Sequence, residues 1–392
     1  MPLSAAEKRL HPKLRFAPDA ARSATLPAHY YYDPEIYERE KEEVFYKTWQ
    51  FVGYVADVRN PGDYITGDII DQKILVVRGK DRELRAFHNV CMHRGHVLAE
   101  GKGNKTIFTC PFHAWSYDAT GALKAAGNAE NVAGFALADF HLSEVRVEAF
   151  GGMVYVNLDA AAPSLQALAG GLEKEFETIV PRFHELTYAR TDVFDIACNW
   201  KFVFDQMECY HCPHIHPQIM GREDSYLELS FDITAYDYWS QHFVAGNRKN
   251  LADGTADLPY EFSTAGADTL ADAYIWWLWP NCVWVAHHGP SNWKLMHVLP
   301  TGVESCRQVV DYFFLNDPPT AGEVELMDYF TQVLQRQDIT SMEQQQRGVH
   351  CRGYAQGRLM VDAERSWRRE HGTHHFDKLL WEALNGPNYP AA

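Results

Sequence analysis

No stretch of the 392-residue chain is apolar for long enough to cross a bilayer as a helix. The most apolar one, residues 274–286, is interrupted by Pro280 and Asn281 and falls short of the roughly 20 residues such a span requires. Basic charge is scarce: 36 Lys and Arg stand against 52 Asp and Glu, a formal net charge of −16. That balance argues against nucleic acid or an anionic membrane as a partner, because binding phosphates takes a basic face that releases counterions. Cysteine is sparse as well, with 8 copies. So few in so long a chain make no disulfide framework, and a local grouping of Cys with His reads instead as a metal site. The amino terminus, MPLSAAEKRLHPKLRF, has no apolar run behind a basic head, so the sequence reads as cytoplasmic. It shows no repeat and no low-complexity segment, which removes solenoids and propellers. What the chain has in quantity is histidine, 19 copies, and imidazole serves both metal binding and proton transfer near neutral pH.

At roughly 100–200 residues per domain the length suggests two or three domains, and the texture divides the chain accordingly. Residues 1–45 form a polar, Pro- and Tyr-rich arm with a short helix expected at 34–46. Residues 46–158 hold short strand-like runs at 74–79, 85–90, 106–110, 145–150 and 153–158, separated by Gly, Asp, Asn and Lys turns; this predicts a small antiparallel β domain. The Ala- and Gly-rich segment 159–185 reads as a linker. Over 186–392, strand patterns come first and long helices, at 321–346 and 360–370, come last, an order that predicts an α+β second domain. The histidines at 371, 374 and 375 read as a polar surface turn.

Within the β domain, Cys91-x-His93 and Cys110-x-x-His113 offer one thiolate and one imidazole each. A structural zinc site uses the same ligand types, but zinc fingers pair Cys with Cys and His with His. Mixed pairs suit a two-iron cluster to which both loops contribute. With Arg94-Gly95 after the first pair, Pro111 inside the second and Trp115 after it, the pattern resembles the Rieske [2Fe-2S] domain; Met92 stands where many relatives have Pro. The resemblance implies that Cys91 and Cys110 hold one iron and His93 and His113 the other. Neutral imidazoles in place of thiolates make such a cluster less negative and raise its potential. His88 and His96 flank the site and read as hydrogen-bonding or surface residues.

The second dense stretch is Glu208-Cys-Tyr-His211-Cys-Pro-His214-Ile-His216-Pro217. Non-haem Fe(II) oxygenases hold iron with two imidazoles and one carboxylate on one face, leaving the opposite positions open. On spacing alone His211 can pair with His214, at i and i+3 on one helix face, or with His216 beyond the Pro213 break. The stretch resembles the iron-binding motif of the Rieske non-haem iron oxygenase large (α) subunits, the aromatic-ring-hydroxylating family, in which four residues separate the two histidines. That resemblance implies His211 and His216 as ligands, with His214 as a neighbour. It also implies a third ligand, an Asp on a late helix followed by a Glu and a Gln-rich turn; Asp338 fits, ahead of Glu343 and Asp328. Glu208 then stands where the family has an acidic bridge from the iron histidine to the Rieske histidine of a neighbouring subunit, here His113. Most ring-hydroxylating relatives carry Asp there; Glu, with the ECYHC string, is similar to the branch acting on quaternary ammonium compounds such as carnitine, glycine betaine and stachydrine. Asn199-Trp200-Lys201 matches the family's entry to this region, whereas Asp205-Gln206 departs from its more usual Glu-Asn.

For the chain from about Trp49 onward the resemblance implies a small antiparallel β Rieske domain followed by a helix-grip-like α+β catalytic domain. It implies a [2Fe-2S] cluster and a mononuclear Fe(II) as cofactors and O2 as co-substrate. NAD(P)H is reached only through a flavin-containing reductase, with or without a ferredoxin, and electrons cross between subunits of a homotrimer. The expected reaction is monooxygenation, with N-demethylation of a methylated ammonium or amino-acid compound favoured over aromatic ring hydroxylation or O-demethylation. A Rieske electron carrier without a working iron site and a zinc-stabilised structural protein are the rivals from other classes. Tyr236, Trp239, Trp276 and Trp284, on the presumed substrate strands, are candidates for a cage holding a trimethylammonium group through cation–π attraction, against the plainer reading of strand aromatics as core. Arg248, Lys249, Lys294 and Arg307 are candidates for a substrate carboxylate or else solvated surface charges.

Overall fold

The computed structural model describes residues 14–256, 258, 260 and 266–390; residues 1–13, the beginning of the amino-terminal arm, lie outside the described residues. The chain divides into two compact units, one of Lys41–Gly170 and one of Met1–Glu40 with Gly171–Ala392. The arm therefore goes with the carboxy-terminal unit. Its last helix, α1 (Pro34–Glu40), ends on Glu40, fully buried, whose carboxylate accepts from Trp200 Nε1 at 2.8 Å and from Lys201 Nζ at 2.5 Å. A buried pair with its hydrogen bonds made is costly to break, and this one ties the arm to the Asn199-Trp200-Lys201 stretch.

The unit Lys41–Gly170 contains β1 (Gln50–Tyr54), β2 (Asp63–Ile69), β3 (Gln72–Arg78), β4 (Leu84–His88), β5 (Lys102–Asn104), β6 (Ile107–Thr109), β7 (Ser116–Asp118), β8 (Leu123–Ala125), β9 (Glu144–Phe150) and β10 (Met153–Asn157). A seven-stranded antiparallel sheet has the order β1-β10-β9-β4-β3-β2-β5, and β6-β7-β8 form a smaller one. Residues 74–77 are fully buried, as a short unbroken apolar run in a core strand must be. Gly151 and Gly152 turn the β9–β10 hairpin at φ 56° and 78°, the positive values a two-residue primed turn needs.

The segment read as a linker contains α2 (Leu165–Ile179), kinked at Ala169 (φ −138°, ψ 18°), where the two units divide. Leu165, Ala169, Leu172, Phe176 and Val180 are buried. Their spacing is helical, although the Ala/Gly-rich composition disguises it.

The larger unit continues with β11 (Thr187–Ile196), α3 (Lys201–Asp205), α4 (Cys212–Ile215), β12 (Asp232–Ala235), β13 (Trp239–Val244), α5 (Arg248–Ala252), β14 (Thr269–Leu270), β15 (Ala273–Leu278), β16 (Cys282–Ala286), β17 (Gly289–Pro290), β18 (Asn292–Gly302) and β19 (Ser305–Phe314). Its main sheet is antiparallel in the order β11-β19-β18-β16-β15-β13-β12, while β14 and β17 pair separately. Next comes α6 (Ala321–Tyr329), started by a Thr320/Glu323 capping box, which runs through a π-turn, Phe330–Leu334, into α7 (Gln335–Val349). Such π-turns occur preferentially at functional sites, and this one lies just ahead of Asp338. No helix forms at 360–370. Instead α8 spans His371–Asn385, so the histidines expected in a surface turn open a helix, with His374 buried and its Nε2 2.8 Å from the Ala17 carbonyl oxygen of the arm. At Gly372 an added Cβ would meet the Met207 carbonyl; only glycine lets α8 come so near the chain entering Glu208.

Strand alternation gives this sheet two different faces. On one, Gln308 accepts from Gln335 Nε2 at 2.8 Å, the Tyr312 and Thr331 hydroxyls meet at 3.2 Å, and Trp277 contacts Phe376 of α8 at 5.7 Å between ring centroids. That face grips α7 and α8. On the other, Trp276, Trp284 and Trp293 surround Phe176 of α2, at 5.2, 5.2 and 5.4 Å between centroids. No helix among the described residues is long and apolar enough to cross a membrane.

Candidate metal centres

The two Cys/His loops of the β unit share one backbone design. In the first, the Gly95 N–H donates to the Cys91 carbonyl (3.0 Å) and the Cys91 N–H to that of His96 (2.8 Å); in the second, Ala114 donates to Cys110 (3.0 Å) and Cys110 to Trp115 (2.8 Å). Both loops turn through a positive φ at the fifth residue, 74° at Gly95 and 59° at Ala114. For alanine that conformation costs roughly 1–2 kcal/mol and persists because the loop holds it. The thiols of Cys91 and Cys110 are buried in the core beside Phe108, Trp115 and Tyr117. His93 and His113 are exposed, with ring centroids 4.6 Å apart, and His93 stacks on Trp115 at 4.7 Å. The Tyr117 hydroxyl accepts from the Met92 N–H at 3.0 Å and lies 3.5 Å from Cys91 Sγ. Two sulfurs inside and two imidazoles at the tip are a donor set that fits a cluster with one thiolate-held and one imidazole-held iron. His96 is exposed and His88 half-buried, and neither joins the set.

In the larger unit α4 is a single turn with His211 before it and His216 after it, which is how four intervening residues bring both rings to one place. One ligand atom each of His211, His216 and Asp338 lie within 4.8 Å of one another. His216 Nε2 is 2.8 Å from Asp338 Oδ1, and its Nδ1 is 2.8 Å from Gln337 Oε1. Gln337 Oε1 also accepts from Gln218 Nε2 at 3.0 Å. Behind the other imidazole, His211 Nδ1 donates to Glu208 Oε1 at 2.7 Å, while Glu208 Oε2 accepts from the Tyr210 and His211 backbone N–H groups. Each histidine thus has Nδ1 committed to an oxygen acceptor, the arrangement that turns Nε2 toward a metal and sets its tautomer. Burial alone would push the His211 imidazole down, but the Glu208 hydrogen bond and the surrounding negative charge raise it to about 10. Two imidazoles and a carboxylate with polar backing fit a 2-His-1-carboxylate iron.

Residues 183–386 match the family described as ring hydroxylating alpha subunit (catalytic domain), and residues 48–136 match the Rieske [2Fe-2S] domain. The chain belongs to the Rieske ring-hydroxylating oxygenase α-subunit family. The carnitine monooxygenase oxygenase subunit of Escherichia coli (strain K12) is 35% identical over 368 residues, 93% of this chain and 95% of that one. The chloroplastic choline monooxygenase of Beta vulgaris is 31% identical over 376 residues, 92% of this chain and 77% of that one. The solved structure of the quaternary ammonium Rieske monooxygenase CntA with L-carnitine superimposes with a TM-score of 0.80 at 30% identity, covering 93% of this chain and 96% of that one; a further structure of a quaternary ammonium Rieske monooxygenase, at 29% identity and the same TM-score, addresses inter-subunit electron transfer. This α subunit is an oxidoreductase with a Rieske cluster and a non-haem iron, using O2 and electrons from a reductase.

The remaining candidates of this Rieske oxygenase subunit fall in different places. His214 is exposed on α4 and does not join the group of His211, His216 and Asp338. Asp328 pairs with Arg190 at 2.7 Å, and Glu343 accepts from the Ala197 N–H at 3.1 Å, so both are structural. The aromatic cage needs correction: Trp276 and Trp284 lie on the α2 face of the sheet, with Trp276 Nε1 donating to Glu175 at 2.9 Å. Trp239, stacked on Tyr236 at 3.9 Å, sits against Gly171 on that same face. Pleat parity points the three tryptophans away from the helix-side face where Asp338 stands, and Tyr236, just past β12, is 41% exposed. Of the cations, Arg248 pairs with Asp272 and Arg307 with Asp195 at the surface, and Lys249 is exposed; Lys294 is 2% exposed. Gln337 was missed by motif reading. Its only sequence signal is adjacency to Asp338, and its partner is 121 positions away.

Proposed function

We propose that this subunit monooxygenates a quaternary ammonium compound, with N-demethylation of a methylated ammonium or amino-acid compound as the favoured outcome. The observation that carries the reading is the convergence of His211, His216 and Asp338, with Glu208 behind His211; the similarity to carnitine and choline monooxygenases supports the substrate class. In this reading Cys91 and Cys110 hold one iron of the cluster and His93 and His113 the other, while His211, His216 and Asp338 hold the mononuclear Fe(II). When bound, the cluster supplies single electrons and the iron binds and reduces O2.

The protein's part is to orient and to exclude. Gln337 and Glu208 fix the two imidazole planes, and the negative charge of Glu208 biases the protonation of whatever imidazole it meets. We assign Glu208 as the electron-transfer bridge to His113 of a neighbouring copy in a homotrimer, with NAD(P)H oxidised by a separate flavin-containing reductase. One O2, two electrons and two protons convert a C–H bond to C–OH and water. A hydroxylated N-methyl then collapses, the C–N bond electrons returning to nitrogen, to formaldehyde, a tertiary amine and a proton. Eight cysteines, none in a disulfide, suit a cytoplasmic setting.

The test is a substrate screen with NADH and a surrogate reductase, scoring O2 uptake, formaldehyde and released trimethylamine. Oxidised products from betaines or choline with roughly three irons per chain are expected. Diols from arenes, with ammonium compounds inert, overturn the reading.

A further inference from the structure

Lys294 lies in the middle of β18 and is 2% exposed. In register it stands beside Val285 of β16 and Tyr312 of β19. Tyr312 reaches Thr331 on the π-turn, so Lys294 points from the sheet toward the helix that carries Asp338. Its Nζ lies 2.8 Å from the centroid of the Phe330 ring. It makes no hydrogen bond or ion pair among the described residues, and the one acidic group acting on it is Asp338, which this site commits to a metal. An aromatic face returns only part of the hydration an ammonium gives up on burial.

A second polar group faces the same ring. His287, just past β16, has its ring centroid 6.0 Å from that of Phe330, and its Nε2 is shut from solvent without a hydrogen-bond partner among the described residues. Burial holds both groups down, the Lys294 ammonium and the His287 imidazole, and the nearby Lys294 lowers His287 further. A wall with two unpartnered nitrogen donors and no free acid of its own is complementary to an anion. A bound carboxylate would supply the missing countercharge and accept from both nitrogens.

We propose that Lys294, with His287, is a subsite for the carboxylate of a zwitterionic substrate beside the metal cluster. The proposal rests on the quaternary ammonium reading and sharpens it: the favoured substrates carry an ammonium at one end and a carboxylate at the other. A purely cationic compound such as choline brings no acceptor or countercharge to this wall and leaves both nitrogens unpartnered. Lys294 is thus a specificity residue, separate from the ligands of the iron.

The experiment compares γ-butyrobetaine, its neutral-ended carboxamide and choline as substrates of the purified holoenzyme with a surrogate reductase, and measures calorimetric binding of butyrate. Wild type should favour the acid over the amide at least tenfold in kcat/KM, mostly through KM. Lys294→Gln should erase that preference while the visible spectrum of the Rieske cluster stays, and Lys294→Arg should restore part of it. Lys294→Met, which keeps the length of the stem, serves if the Gln variant misfolds. Equal turnover of acid and amide by wild type, or an equal loss on both in Lys294→Gln, overturns the subsite and leaves the oxygenase reading standing. If no ammonium compound is oxidised, butyrate binding to wild type that Lys294→Gln abolishes keeps the subsite and removes the ammonium reading. No butyrate binding to either protein removes the subsite too.

Discussion

Gln337→Leu should loosen the mononuclear iron without touching the Rieske cluster. The Gln337 side-chain oxygen, 2.8 Å from His216 Nδ1, is the acceptor that keeps the proton on that nitrogen and leaves Nε2 for a ligand bond. His216 is 5% exposed, so water does not replace the lost acceptor. A net hydrogen bond is worth about 0.5–1.5 kcal/mol, and a buried donor left alone costs about 1–3 kcal/mol. Part of that is recovered without metal, because the imidazole proton can move to Nε2 and donate to Asp338, now 2.8 Å away. The penalty therefore falls on the metal-bound form. An expected net loss of about 1.4–2.7 kcal/mol corresponds to roughly 10–100-fold in affinity, the usual range for a group that orients a metal-bound histidine. Leu is close to Gln in volume, so packing is retained, and Gln337→Glu, which offers a stronger acceptor, should hold iron at least as tightly as wild type. Chelator competition for Fe(II) measures the change, with the visible absorption of the cluster in the same sample as internal control. Wild-type iron affinity in Gln337→Leu, or a parallel loss of the cluster, would refute the reasoning.

Glu208→Gln weakens a charge-assisted bond of 2.7 Å to a neutral one; turnover should fall about tenfold or more with both metals retained, and loss of iron would instead make Glu208 a ligand. His214→Ala, at an exposed position, should leave iron content and turnover within about twofold of wild type, whereas His216→Ala abolishes turnover and preserves the visible spectrum; the reverse pattern would move the ligand. Trp276→Phe removes packing around Phe176 and the bond to Glu175 and should cost about 1–3 kcal/mol in urea unfolding with KM unchanged, while a raised KM would return this residue to the substrate site. Burial depresses His242 to about 3 and His297 to about 4, both below the unfolded value of 6.5. The unfolded chain therefore takes up their protons first, and stability present above pH 6.5 drains as pH falls toward 4, about 3 kcal/mol for the pair by pH 5.5. Equal unfolding midpoints at pH 8 and pH 5.5 would contradict this.

The ligand sets were legible because they are short-range. Cys91-x-His93 and Cys110-x-x-His113 each sit on one tight loop, whereas spacing alone left His214 and His216 both open as the partner of His211, and the single turn of α4 is what brings His216 beside it. The helix bearing Asp338 was visible in the pattern at 321–346, although its π-turn was not, since a single inserted residue leaves the apolar period almost unchanged. The aromatic strands show the limit of that reading. Alternation says that Trp276 and Trp277 face opposite ways, but which face receives the α2 helix and which the iron helix depends on what packs there from remote parts of the chain. The linker composition of 159–185 concealed the helix that covers one face. Residue types alone carry the chemistry of the donors: thiolate, imidazole and carboxylate. The fold in three dimensions was needed to place Trp239, Trp276 and Trp284 in the core and Tyr236 at the surface, to set Gln337 against His216, and to bury Lys294 without a counterion among the described residues, because burial and facing are set by contacts between residues a hundred or more positions apart.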